Sequence, residues 1–335
     1  MNSKKLLNLI WPLFGLIVMI FSAKMLYHEF HNPTSELSRL NFHDLITRLK
    51  EISTIRWISA FICTILAYTA LAAYDQIALQ HLKKKISWWF VSVCSFTAYA
   101  LSHSIGASAF SGAAIRYRAY STKGLSGPEV AILAAFCSFT FALGIIILLT
   151  ILLAFNPSLG LMIKPHLSHL IGHYLKDEDI KIFTIAVVST LTLLISLYVF
   201  GSWMHLRPLK IGKHITIVYP RLNIVFKQII VGPLEILASS GIIYFMLPST
   251  SDVSFAMVTT AFLSSFTIGI LSNAPGGGLG IFELSFLSLF HNVDPRDVLV
   301  ALIVFRMFYI IIPLLLSIIF VIIFEIKQYR SNRKH

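Results

Sequence analysis

Asp75, Glu235 and Arg306 each sit inside a run of apolar residues, and Glu283 lies in a short apolar stretch behind a string of glycines. Charge in hydrocarbon is costly, so an ionisable residue in such a run marks a functional site by default. Arg116 and Arg118 follow a stretch broken by small polar residues, in Gly112-Ala-Ala-Ile-Arg116-Tyr-Arg118. Opposite charges facing one cavity neutralise each other and can also hold an anionic or zwitterionic headgroup. Arginine suits phosphate, because its planar fork donates two parallel hydrogen bonds. The competing reading is a set of structural ion pairs that fix helix packing. Taken together, the set favours function.

Other candidate chemistry is weaker. Asn273-Ala-Pro275-Gly276-Gly277-Gly278-Leu-Gly280 resembles a phosphate loop only superficially, since Ile281-Phe282 stand where a Walker loop needs Lys and Ser or Thr. Its glycines better suit a sharp turn before a half-helix near 279–291, whose positive dipole end would face the cavity. His166, His169 and His173 share a helix face and could ligate zinc. No carboxylate stands at a zincin spacing, so a solvated polar face is preferred. No G-x-S-x-G elbow or dinucleotide fingerprint occurs, and no cofactor is expected. An intramembrane acyltransferase or protease would rest on His103 or Ser104 alone. Cys63, Cys94 and Cys137 fall inside apolar runs and read as small core residues.

The elements that must carry these residues follow from composition. Of 335 residues, 56% are hydrophobic and 13% charged, with a mean hydropathy of +0.79. Soluble domains carry about 25% charged residues, so lipid is the natural solvent here. The net charge of +12 does not indicate nucleic acid, because the basic residues lie in short groups between apolar runs, as in cytoplasmic loops. Spans of about 20 apolar residues are expected at 6–27, 54–80, 128–155, 180–205, 223–247, 253–272 and 297–325. Lys4 and Lys5 before the first run suggest a signal peptide, but the run is long and lacks an A-x-A-type site, so a retained span is preferred. Residues 34–52 and 159–175 read as interfacial helices. The expectation is one all-α, polytopic domain over 1–335, with about eight membrane segments and a short basic tail at 326–335.

Residues 87–112 are apolar but broken by Ser102, His103, Ser104, Gly106, Ser108, Ser111 and Gly112. Loop charge decides how they run. If they cross the membrane, Lys and Arg divide 12 inside and 12 outside. If they dip in from the cytoplasmic side and return, the division becomes 16 against 8, the asymmetry of the positive-inside rule. A re-entrant segment is therefore expected, with the loop at 113–127 and both termini cytoplasmic. Irregular backbone at membrane depth must be buried in protein or line a wet cavity.

The string Ser104-Ile-Gly-Ala-Ser-Ala-Phe-Ser-Gly-Ala-Ala-Ile-Arg-Tyr-Arg-Ala-Tyr-Ser121, with Gly124-Leu-Ser-Gly-Pro-Glu129 after it, resembles the membrane domain of bacterial lysylphosphatidylglycerol synthetases, the multiple peptide resistance factor family. Tyr74-Asp75 and Asn273 to Glu283 match the same family, in order along nearly the whole chain. In that family the membrane domain is implicated in flipping aminoacylated phosphatidylglycerol, and a separate soluble domain makes the lipid. The resemblance implies site roles for Asp75, Arg116, Arg118, Pro275, the glycines from Gly276 to Gly280, and Glu283. Glu235 and Arg306 join them on physical grounds. After the last span only a basic tail follows, so a stand-alone member without aminoacyltransferase activity is expected. The expected function is a phospholipid translocase or lipid-binding transporter of the bacterial inner membrane; the alternative is a scaffold or accessory subunit of lipid or envelope-glycan synthesis. Membrane phospholipid is the expected partner, nucleic acid is not, and a separate lipid-synthesising enzyme and a second copy of the chain are the protein partners considered.

Overall fold

The computed structural model describes residues 42–105, 108–162, 164, 176–204, 209–211, 215–248, 252–271, 280–290 and 292–332. The expected span at 6–27, residues 34–41, the three histidines at 166–173, and Asn273 to Gly278 lie outside the described residues.

Among the described residues, five helices are long and apolar enough to cross a membrane: Thr54–His81, Gly127–Phe155, Glu178–Trp203, Leu222–Met246 and Pro295–Phe324. At about 1.5 Å rise per residue each exceeds the roughly 30 Å hydrocarbon core. A shorter apolar helix covers Phe255–Gly269. The chain is a helical, multi-pass membrane protein. We label its elements α1 (Phe42–Glu51), α2 (Thr54–His81), α3 (Trp88–Ile105), α4 (Ser108–Ser121), α5 (Gly127–Phe155), α6 (Leu159–Met162), α7 (Asp177–Trp203), α8 (Leu222–Met246), α9 (Phe255–Leu271), α10 (Ile281–Leu287), α11 (Pro295–Arg306) and α12 (Ile312–Asn332). A π-helical turn, Met307–Ile311, joins α11 to α12. Between α7 and α8 lies a small departure from the all-α expectation. Strands β1 (Leu209–Ile211) and β2 (Ile215–Ile217) pair antiparallel, with Leu209 opposite Ile217.

The centre of the bundle is α2 against α8, running in opposite directions. At one end Arg56 Nε donates to the Phe245 carbonyl at 2.7 Å; at the other Lys227 Nζ donates to Gln80 Oε1 at 2.7 Å. Helix α5 starts at the Lys227 end. Its Ser126 N–H donates to Glu129 Oε2 at 2.8 Å, half of a capping box. Glu129 also pairs with Lys84 Nζ at 2.8 Å, tying this start to the end of α2. Helices α5 and α8 touch backbone to backbone: a Cβ on Gly144 would lie 2.4 Å from the carbonyl of Gly232. Small residues permit such approach where lipid offers no hydrophobic drive. Helix α7 packs at the margin, with only 6% of its apolar window buried.

Two helical pairs turn back inside this frame. Helices α3 and α4 lie antiparallel: Phe90 meets Tyr120, Tyr99 meets Arg116, and Gly112 closes on Ser102. The chain thus returns to the Lys84 end from which it came, as the re-entrant reading requires. Its extent is corrected. The returning arm is helical through Ser121, so 113–121 is not loop, and Arg116 is buried at 4% exposure. Without Arg116 the charge division is 15 against 8, which leaves the asymmetry intact. The second pair, α9 and α10, opens at the opposite end. Helix α9 starts where Phe255 packs on Tyr244, and α10 brings Phe282 back level with Phe262. The expected half-helix at 279–291 is shorter, Ile281–Leu287. Helix α1, the described part of the first interfacial segment, is clamped at this end by Arg48 on Asp294 (2.7 Å) and Asp297. Of the second interfacial segment, α6 is a single turn at Leu159–Met162.

Candidate functional site

Three buried ionisable stations lie along the bundle interior. The first is Asp75 of α2, fully buried, facing Arg116 of α4. Arg116 Nη2 donates to Oδ1 at 2.8 Å and Nε to Oδ2 at 3.0 Å. Tyr120 donates to Oδ2 at 2.9 Å, and Cys137 Sγ of α5 to Oδ1 at 3.3 Å. The Tyr99 ring covers the guanidinium, with Cζ 4.5 Å from its centroid. Both carboxylate oxygens are occupied, which lets a charge persist away from water.

The second station is Glu235 of α8. Ser239 donates to its Oε1 at 2.9 Å, and the Tyr309 hydroxyl donates to the same oxygen. Tyr68 of α2 donates to the Tyr309 backbone carbonyl at 2.9 Å. His103, at the end of α3, stacks on the Tyr309 ring at 5.1 Å. Local backbone is irregular here. Pro233 lies inside α8 and removes one helical N–H donor, and Tyr309 lies in the π turn.

The third station is Glu283 of α10 with Arg306 of α11. Arg306 Nε and Nη2 both reach Glu283 Oε1 at 2.6 Å, and the guanidinium carbon is 5.9 Å from the Phe282 ring centroid. Glu283 Oε2 accepts the backbone N–H of Gly280 at 2.8 Å. Gly280 has φ +82°, a conformation in which a Cβ is strained. Glu283 folds back onto the N-terminus of α10 and takes up the Gly280 N–H, one donor of the helix end that was expected to face the cavity.

Spacing along the helices orders the stations. Tyr68 and Asp75 are seven residues apart, about 10 Å along α2. Tyr309 and Arg306 are three apart, about 4.5 Å in the other direction. Of the residues singled out in the sequence, Asp75 joins Arg116, Glu283 joins Arg306, and Glu235 forms its own station. Arg118, two positions after Arg116, projects from a different side of α4 and is half-buried. Asn273, Pro275, Gly276, Gly277 and Gly278 lie outside the described residues. Sequence reasoning missed Tyr99, Tyr120, Cys137, Tyr68 and Tyr309 as partners. For Tyr120 a signal existed, since it follows Arg116 by one helical turn.

Residues 13–317 match the family described as the lysylphosphatidylglycerol synthase TM region. The chain belongs to this family. Among relatives is the uncharacterised protein slr0712 of Synechocystis sp., 30% identical over 301 residues, 90% of this chain and 89% of that protein. The inner membrane protein YbhN of Escherichia coli K12 is 20% identical over 336 residues, 99% of this chain and 96% of that one. The phosphatidylglycerol lysyltransferase of Staphylococcus haemolyticus is 25% identical over 322 residues, 95% of this chain but 34% of that enzyme. As a family member, the chain corresponds to the membrane part of the lysyltransferase.

Proposed function

We propose that this protein moves or binds membrane phospholipid, and that the charged stations between its two inward-turning helix pairs contact the headgroup. The observation that carries the reading is the placement of three ionisable stations in the bundle interior, between one helix pair opening at the Lys84 end and another opening at the Arg56 end. Transporters commonly build their sites where discontinuous helices meet near the membrane midplane. Arg116 and Arg306 would engage the phosphate, and Asp75, Glu235 and Glu283 a cationic part of the headgroup. Arg118 would serve at the hairpin's mouth. Aminoacylated phosphatidylglycerol carries both charges and suits the family relationship.

In this reading the protein sits in the bacterial inner membrane with the Lys84 end cytoplasmic, and it does not transfer lysine from aminoacyl-tRNA. The test is leaflet exchange of labelled phosphatidylglycerol and its lysyl ester in liposomes containing the purified chain. Exchange above protein-free liposomes, lowered at least tenfold by Arg116→Lys, is expected, since the lysine keeps charge but loses the fork. Exchange equal to the protein-free control would overturn the proposal. One observation favours a second reading, a scaffold for lipid or envelope-glycan synthesis. Two of the three stations are already closed ion pairs, which would hold helices together without a ligand.

A further inference from the structure

Glu235 differs from the other buried carboxylates. Asp75 and Glu283 each face an arginine, whereas the described donors to Glu235 are two hydroxyls, Ser239 and Tyr309, and both meet Oε1. Among the described residues its Oε2 is buried without a hydrogen-bond partner, and the residue is 2% exposed. A carboxylate anion with one oxygen unpartnered in a low-dielectric interior is strongly unfavourable. A neutral carboxylic acid in the same place leaves only a weak acceptor or a single O–H unsatisfied.

The surroundings have a second unfilled position. Among the described residues His103 Nδ1 is also buried without a partner, and its ring stacks on Tyr309, the residue that bonds Glu235. The titratable groups facing Glu235 are Tyr68 and Tyr74 from α2 and Tyr309 from the π turn; His103 from α3 lies behind Tyr309, with Arg116 of α4 near His103. Among these described groups no arginine or lysine faces Glu235 itself. The π turn is independent support, because such bulges occur frequently at functional sites.

We infer that Glu235 is a reversible proton-binding site, neutral when protonated, and that Tyr309 relays its protonation state to His103 at the inner end of the first helix pair. The equilibrium takes one proton from the aqueous phase to form the carboxylic acid and returns it on deprotonation. When the acid forms, Oε1 keeps the Tyr309 and Ser239 donors and the charge disappears. When the proton leaves, the anion draws both donors inward. The Tyr309 ring then moves against the His103 ring stacked on it. This deepens the lipid reading by supplying a coupling ion, but proton binding itself does not depend on lipid movement.

The experiment is infrared difference spectroscopy of the full-length chain in nanodiscs, between acidic and alkaline buffer. A protonated carboxyl has a carbonyl stretch that a carboxylate lacks. Expected is a pH-dependent carboxyl band that Glu235→Gln abolishes and Asp75→Asn leaves in place. Tyr309→Phe should keep the band and move it to higher frequency, because the carbonyl loses a hydrogen bond, so the assignment survives even if Glu235→Gln fails to fold. A band unmoved by either variant, or a response to sodium at constant pH, overturns proton binding. A parallel liposome assay reads leaflet exchange under a pH gradient. A band with no exchange in any protein would refute the lipid reading while leaving the proton site standing; exchange that ignores the gradient would refute the coupling.

Discussion

Arg116 and Asp75 are 41 residues apart in sequence and meet through two guanidinium nitrogens, at 2.8 and 3.0 Å, in the buried space between α2, α4 and α5. The pair closes the first helix pair onto the α2–α8 core. Tyr120 and Cys137 complete the shell around Asp75, so the contact joins three elements rather than two.

That relationship predicts an asymmetric response to mutation. Arg116→Ala strands a fully buried carboxylate and should cost about 3–5 kcal/mol, the usual loss when one partner of a buried pair is removed. Asp75→Asn in the Arg116→Ala background removes the stranded charge and should recover part of that loss. Thermal unfolding in detergent measures both. A double variant no more stable than Arg116→Ala would show that the pair does not act as a unit.

The crossing of α5 and α8 predicts a steric effect free of charge. A side chain at Gly144 has the Gly232 backbone in its path at 2.4 Å, and backbone cannot rotate aside. Gly144→Val should therefore cost at least the roughly 1–3 kcal/mol typical of overpacking. It should also weaken the Tyr74 hydroxyl bond to the Gly232 carbonyl, 2.9 Å in the native protein. Gly124→Val, in an open turn with nothing within 4 Å, serves as a contrast that meets no neighbour, although its φ of +82° adds backbone strain. Equal melting temperatures for the Gly144 variant and the wild type would contradict the close crossing.

The sequence made some of this architecture visible and hid the rest for identifiable reasons. Long apolar runs set α2, α5, α7 and α8, because spanning length and hydropathy are local properties. The charge asymmetry of the loops made the return of 87–112 legible, but not that Arg116 lies within the returning arm. Beyond Gly112 the arm carries Arg116 and Arg118 within a short mixed stretch, so 113–121 reads as loop until it is seen packed against α3. The pairing of Glu283 with Arg306 crosses 23 residues and has no local signature. Cys137 read as core filler, since nothing in an apolar run distinguishes a packing thiol from one bonded to a carboxylate. Glu235 was visible as a mid-span charge, but its partner Tyr309 is 74 residues away.

The clamp at the Arg56 end predicts a pH effect outside the spans. Burial pushes the Asp294 carboxyl upward, but the Arg296 backbone N–H and the Arg48 charge outweigh it and hold the carboxyl below its ordinary range. A depressed folded value means the contribution to stability is present above the unfolded value, about 3.9 for aspartate. It is lost as pH falls through the folded value. Both side chains are partly exposed, 25% for Arg48 and 42% for Asp294, so the gain is at most that of a surface pair, about 0–1 kcal/mol. Asp294→Asn should flatten the acid limb of a melting-temperature profile below about pH 4 and barely change it at neutral pH. An unchanged acid limb would place the pair outside the stability of the fold.

The two helix pairs open at opposite ends, and this fixes a topology test that needs no substrate. Ser121 ends α4 at the Lys84 end, and Asp252 precedes α9 at the Arg56 end; both are exposed. Lys123 lies two positions from Ser121; Lys83, Lys84 and Lys85 follow α2 at the same end, where Lys84 pairs with Glu129, and the positive-inside rule assigns that end to the cytoplasm. A cysteine replacing Ser121 should thus resist a membrane-impermeant maleimide in intact spheroplasts and react after lysis, whereas a cysteine replacing Asp252 should react in both. The native Cys63, Cys94 and Cys137 are buried or half-buried, and wild-type protein sets their background. If both introduced cysteines react before lysis, α3 and α4 do not return to the cytoplasmic side and the hairpin cannot be re-entrant in the native membrane. If Ser121→Cys alone reacts, the hairpin stands but the molecule is inverted, and the charge asymmetry has been overridden by another determinant of insertion.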